Sequence, residues 1–98
     1  MGSGLVVIEK EMAVTHKDFF RSLPNALQEE ECNVDGYSVR ISGANGIWNI
    51  ELGPEGTRKI AHLSLPRTKV KLIFNNYSEM DLKKVLERFD RAFQRAGG

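Results

Sequence analysis

The sequence predicts a two-layer α+β domain, an antiparallel sheet covered on one face by two helices. Three observations carry that prediction. Five stretches alternate apolar and polar residues with a period of two, and two stretches repeat apolar residues at helical spacing. Short Gly- and Pro-rich turns separate most of the strands, which makes sequential strands antiparallel neighbours. The chain of 98 residues reads as one domain, 1–98, large enough for one core but not for a core and a deep cofactor cavity.

Each element has its own reason. Residues 5–14 place Val6, Ile8, Met12 and Val14 on one side of a strand and Glu9 and Glu11 on the other, with Lys10 interrupting the apolar row. Thr15 then supplies a helix N-cap, Asp18 stands three residues on as the acid of a capping box, and Val14 can staple onto Phe19. Phe19, Phe20, Leu23 and Leu27 mark the buried side of this helix, and Pro24 is expected to end or kink it at Leu23. Glu29-Glu30-Glu31 reads as a solvated loop.

Four strands are expected next. Tyr37, Val39 and Ile41 alternate with Ser38, Arg40 and Ser42 before the turn Gly43-Ala44-Asn45-Gly46. Trp48, Ile50 and Leu52 alternate with Ile47, Asn49 and Glu51 before a second turn, Gly53-Pro54-Glu55-Gly56. A third strand sets Ala61, Leu63 and Leu65 inward against Ile60, His62 and Ser64 and stops at Pro66. The fourth sets Val70, Leu72 and Phe74 against Lys69, Lys71 and Ile73. The last element is a helix capped by Ser78, with Asp81 three residues on and an apolar stripe of Leu82, Val85, Leu86, Phe89, Ala92 and Phe93.

The order β-α-β-β-β-β-α resembles the TATA-binding-protein-like and helix-grip architectures. That resemblance covers nearly the whole chain through element order. It implies a curved antiparallel sheet with both helices on one face, and it implies no activity.

Composition narrows the classes of function. Apolar residues make up 41% and charged residues 28%, the balance of a folded globular chain. No apolar run approaches the length that crosses a bilayer, and the N-terminus lacks the basic region and cleavage site of a signal peptide. Met1–Gly4 reads as a cloning scar or a loose terminus, and Val6 stands where a myristoylation motif needs Ser or Thr. A single cysteine, Cys32, precludes an internal disulfide and points to a reducing, cytoplasmic location. His16 and His62 are too far apart in sequence for a familiar metal motif, and no nucleophile, base and orienting group occur together. A non-enzymatic role without cofactor is therefore expected.

Charge is distributed unevenly beneath a net of +1. Residues 1–55 hold nine acids and four bases, whereas residues 56–98 hold ten bases and four acids. No acid occurs from Gly56 to Ser78, a span that contains Arg58, Lys59, Arg67, Lys69 and Lys71. Such a surface can steer an anionic partner.

Two surfaces are candidates. One is the polar sheet face turned away from the helices, carrying Arg40, Asn49, Arg58, His62, Lys69 and Lys71 with Ile47, Ile60 and Ile73 among them. Its mixture of apolar and charged groups resembles a contact surface, although a polar outer face is also normal for such sheets. The other is a basic ridge on the last helix, Lys84, Arg88, Arg91 and Arg95, which an ordinary solvated face also explains. The leading expectation is docking to a protein partner through the open sheet face. An anionic small ligand between sheet and C-terminal helix, and nucleic acid, are the alternatives. Nucleic acid ranks last, because acids share the face and no exposed aromatic pair is evident for stacking.

Overall fold

The computed structural model describes residues 4–27, 30–43 and 46–97. Strand β1 (Leu5–Met12) leads into helix α1 (His16–Leu27). Strands β2 (Glu31–Asp35), β3 (Ser38–Gly43), β4 (Gly46–Ile60) and β5 (Leu63–Asn75) follow, and helix α2 (Glu79–Gly97) closes the chain. All strand pairs are antiparallel, in the order β1-β5-β4-β3-β2, so the first strand returns to pair with the last. The fold is α+β, as its sequence predicts.

The apolar rows of the sheet and the stripes of both helices meet in one layer. Val39, Ile41, Trp48, Ile50, Val70, Leu72 and Phe74 from the sheet are fully buried with Phe19 of α1 and Phe89 of α2. Trp48 stacks on Phe74 with centroids 4.9 Å apart, and Phe93 stacks on Phe19 at 4.8 Å. Burial of each such side chain contributes about 1.5–3 kcal/mol. Thr68, also fully buried, donates its hydroxyl to the Val14 carbonyl at 2.7 Å and closes the loop before α1.

The expected caps form. Thr15 Oγ1 accepts from the Asp18 amide at 3.0 Å, and Ser78 Oγ accepts from the Asp81 amide at 3.1 Å. Hydrogen bonding to Thr15 and the neighbouring Arg21 guanidinium hold the Asp18 carboxyl below its ordinary pKa. Gly4 is joined to the fold, its carbonyl accepting from the Asn76 amide at 3.1 Å. Met1–Ser3 lie outside the described residues, as do Ala44 and Asn45 of the expected β3–β4 turn.

Four expectations need correction. Helix α1 does not end at Leu23: it runs through Pro24 to Leu27, with Ala26 and Leu27 buried and Pro24 exposed. Glu31 opens a strand, β2, paired with β3 from Glu31↔Ser42 to Asp35↔Ser38. Glu30 is largely sheltered, its carboxylate paired with Arg88 at 3.0 Å.

The largest correction concerns the middle strands. Gly53-Pro54-Glu55-Gly56 is not a turn. It lies inside β4, where the register steps from Leu52↔Val70 to Glu55↔Thr68, so Gly53 and Pro54 together oppose Lys69. The chain reverses instead at Ala61-His62, between Ile60 and Leu63. The one strand expected over residues 60–65 is thus split by the turn, and its neighbours on either side extend into two long strands. Pro66 sits within β5 opposite Thr57 on a free edge, where a missing N–H costs no ladder bond. Leu63 and Leu65, expected to face inward, are exposed.

Candidate functional site

The outer face of the sheet is built from the alternate residues that the core does not use. Cross-strand pairing sets Val7, Ile73, Asn49, Arg40 and Asn33 in one row from β1 to β2. The next row is Glu9, Lys71, Glu51, Ser38 and Asp35. Lys71 therefore stands between two carboxylates, and Lys69 lies opposite Glu11, which also pairs with Arg67. Opposite charges directly across strands attract, so this part of the face is a balanced charge ladder with little net positive field. A depression of about 460 Å³ lies over it, lined by Glu9, Glu11, Glu51, Lys69 and Lys71 among others.

The six candidate residues of this face separate into two groups. Arg40, Asn49, Lys69 and Lys71 lie on the central sheet. Arg58 and His62 lie farther out: Arg58 pairs with Leu65, and His62 occupies the turn rather than the middle of a strand. They belong to a two-stranded arm that sequence reasoning missed. β3 stops pairing with β4 at Glu51, and β1 stops pairing with β5 at Thr68. Beyond those points, among the described residues, β4 and β5 pair only with each other. The arm helps make the molecule 49 Å long and 23 Å across.

Pairing also fixes which way the arm residues point. Thr68 faces the core, and Glu55 opposite it takes the same side. Arg58, Ile60, Leu63 and Leu65 therefore share the side that continues the outer face. Ile60, Leu63 and Leu65 are all exposed, Leu63 by 63%. Three aliphatic groups in water on a ribbon with neither edge paired among the described residues are unusual, because such ribbons are marginal without cover. A clue was present in the sequence, where these residues lie between Arg58-Lys59 and Arg67 in an acid-free run.

The root of the arm is fastened to α1. His16 Nε2 donates to the Gly53 carbonyl at 2.7 Å, and the Glu55 carboxylate accepts from the His16 amide at the helix N-terminus, where the dipole favours an anion. The His16 ring lies 4.5 Å from that of Tyr37.

The ridge on α2 is interrupted. Lys84 and Arg91 are exposed, but Arg88 is half-buried in its pair with Glu30. The Arg95 side chain lies outside the described residues. Between α2 and the sheet, the volume is filled by Trp48, Phe74 and Phe89. Tyr77 completes that end of the core, donating its hydroxyl to the Gly46 carbonyl at 3.0 Å. Burial pushes its phenol pKa up, the Glu30 carboxylate adds to the rise and Arg88 opposes it.

Compared with known proteins, the chain matches no family model and no curated protein.

Proposed function

We propose that this protein is a non-enzymatic binding module that docks a protein partner through the outer sheet face and the arm continuing it. The observation that carries this reading is the alignment of exposed Ile60, Leu63 and Leu65 beside Arg58 on one side of the ribbon. Protein contacts join an apolar centre to a polar rim, and the Arg40, Asn49 and Lys71 rows supply such a rim on rigid strands. A free, exposed Cys32 suits a reducing compartment, and we place the protein in the cytoplasm.

Capture tests the reading. The immobilised protein and its Leu63→Asp and Leu65→Asp variants are compared by crosslinking to partners in native extract. Both variants keep the wild-type melting temperature, because their sites are exposed, and both lose the crosslinked partner. Undiminished capture by the variants sinks the proposal.

A further inference from the structure

The deepest asymmetry in the molecule lies between its arm and its β2 edge. The arm presents Arg58 and Lys59 with exposed aliphatic residues, and no acid occurs from Gly56 to Ser78. The β2 strand presents Glu31 and Asp35 and carries no base. All five of its residues are exposed, Val34 by 55%, and among the described residues only its β3 side is paired. Each is thus an open strand edge with apolar groups of its own and a charge opposite to the other's.

Neither edge suits a copy of itself. Two β2 strands paired antiparallel about Asn33 would set Glu31 against Asp35, and two arms would bring their cations together; like charges across strands are unfavourable. Open edges that cannot self-pair are a familiar defence against promiscuous association. The arm and β2, by contrast, complement each other in charge and in free backbone groups.

On this basis, and resting on the docking reading above, we propose that the partner is a second copy of this chain, bound by reciprocal addition of each arm to the other copy's β2 edge. The topology allows both contacts at once. Within one chain β2 and β4 run in the same direction, since each is antiparallel to β3. A two-fold axis perpendicular to the sheet reverses that direction in the second copy, so its β2 meets the outer half of β4 antiparallel, with both outer faces on the same side. The same axis brings the other arm to the first copy's β2, a closed isologous arrangement.

Registers that keep the faces aligned put Arg58 opposite Asn33, with Glu31 and Asp35 on its diagonals, or opposite Asp35 itself. Either removes an acidic edge and a basic edge from water together. The β2–β3 turn, with Tyr37 60% exposed, faces the axis.

Charge reversal tests this by sedimentation equilibrium of the purified protein from low micromolar to near-millimolar concentration. The wild type forms a dimer. One variant reverses the arm, Arg58→Glu with Lys59→Glu; the other reverses the edge, Glu31→Lys with Asp35→Lys. Each alone dimerises about a hundredfold more weakly, because both of its contacts become like-charged. An equimolar mixture recovers the dimer, since every arm then meets an edge of opposite sign.

A wild type that stays monomeric, variants that dimerise normally, or a mixture that fails to recover would each overturn the inference. The docking reading is judged separately: a monomer whose Leu63 and Leu65 still capture another protein loses the self-association and keeps the module. Tight binding of random duplex DNA by a monomer, lost on Arg58 and Lys59 reversal, reassigns the arm to nucleic acid.

Discussion

His16 Nε2 lies 2.7 Å from the carbonyl oxygen of Gly53, tying the first turn of α1 to the residue at which β4 bulges and the arm departs from the sheet. A carbonyl only accepts, so the Nε2 position carries the proton. Without this bond the arm would be held at its root by its own ladder, by the Arg67–Glu11 ion pair and by the Glu55 carboxylate on the His16 amide. His16→Phe removes the donor and keeps a ring beside Tyr37, a change expected to cost about 1 kcal/mol. Its more specific sign is faster hydrogen exchange of amides from Glu55 to Ile60, with the central strands unchanged. Uniform acceleration across the whole sheet would place the effect in global stability and not at the arm.

A second expectation concerns the arm's tip. The connection of two residues begins with Ala61 at φ 55, a left-handed conformation that costs a residue with a Cβ about 1–2 kcal/mol. The β2–β3 hairpin has the same two-residue design with Gly36 at the corresponding place, φ 64. Both fit a type II′ turn, where glycine is the usual first residue. Ala61→Gly should therefore tighten the arm, the relief of strain exceeding glycine's added unfolded-state entropy of about 0.4–1 kcal/mol. Slower exchange of the Ile60 and Leu63 amides checks it. Gly36→Ala is expected to have the opposite effect on its own hairpin.

These two turns also show why the sequence disclosed some of the fold and not the rest. Thr15, Ser78 and the rows through Trp48, Ile50, Leu72 and Phe74 were legible because caps and alternation are local signals backed by burial. The arm was hidden by its glycines and proline. Gly53-Pro54-Glu55-Gly56 has turn composition, but the bulge absorbs it, while the true reversal at Ala61-His62 uses neither glycine nor proline and bears strain. Strand β2 was hidden because an exposed edge needs no apolar row, and only Cys32 and Val34 alternate among its acids. The charge imbalance between the two halves was visible throughout, whereas its meaning depends on pairing that neutralises Lys69 and Lys71 and leaves Arg58 and Lys59 outlying.

Alkaline pH should expose the buried phenol. Tyr77 has its pKa raised in the folded state, chiefly by burial, so the native protein favours its neutral form more than the unfolded chain does. The stability linked to this group is complete below the unfolded value of about 10 and is lost as pH rises through the higher folded value. Tyr77→Phe removes that part of the alkaline decline. It also leaves the Gly46 carbonyl without its donor, at a cost of about 1–3 kcal/mol near neutrality. Urea unfolding of both proteins across the alkaline range supplies the comparison; parallel stability curves would remove Tyr77 as the titrating group.

The basic residues of α2 should separate into one that holds the fold and others that do not. Arg88 reaches Glu30 at 3.0 Å, and both side chains are largely sheltered, 29% and 17% exposed. Arg88→Ala leaves the Glu30 carboxylate sheltered without its cation, a loss expected to be about 1–3 kcal/mol, less than for a fully buried pair because water still reaches both groups. Lys84→Ala and Arg91→Ala, on the exposed surface, should change stability by no more than about 0.5 kcal/mol. A double-mutant cycle of Arg88→Ala with Glu30→Gln measures the coupling directly. If the cycle gives no coupling, or if Lys84→Ala destabilises as much as Arg88→Ala, the ridge is one continuous electrostatic surface and Arg88 has no separate structural part in it.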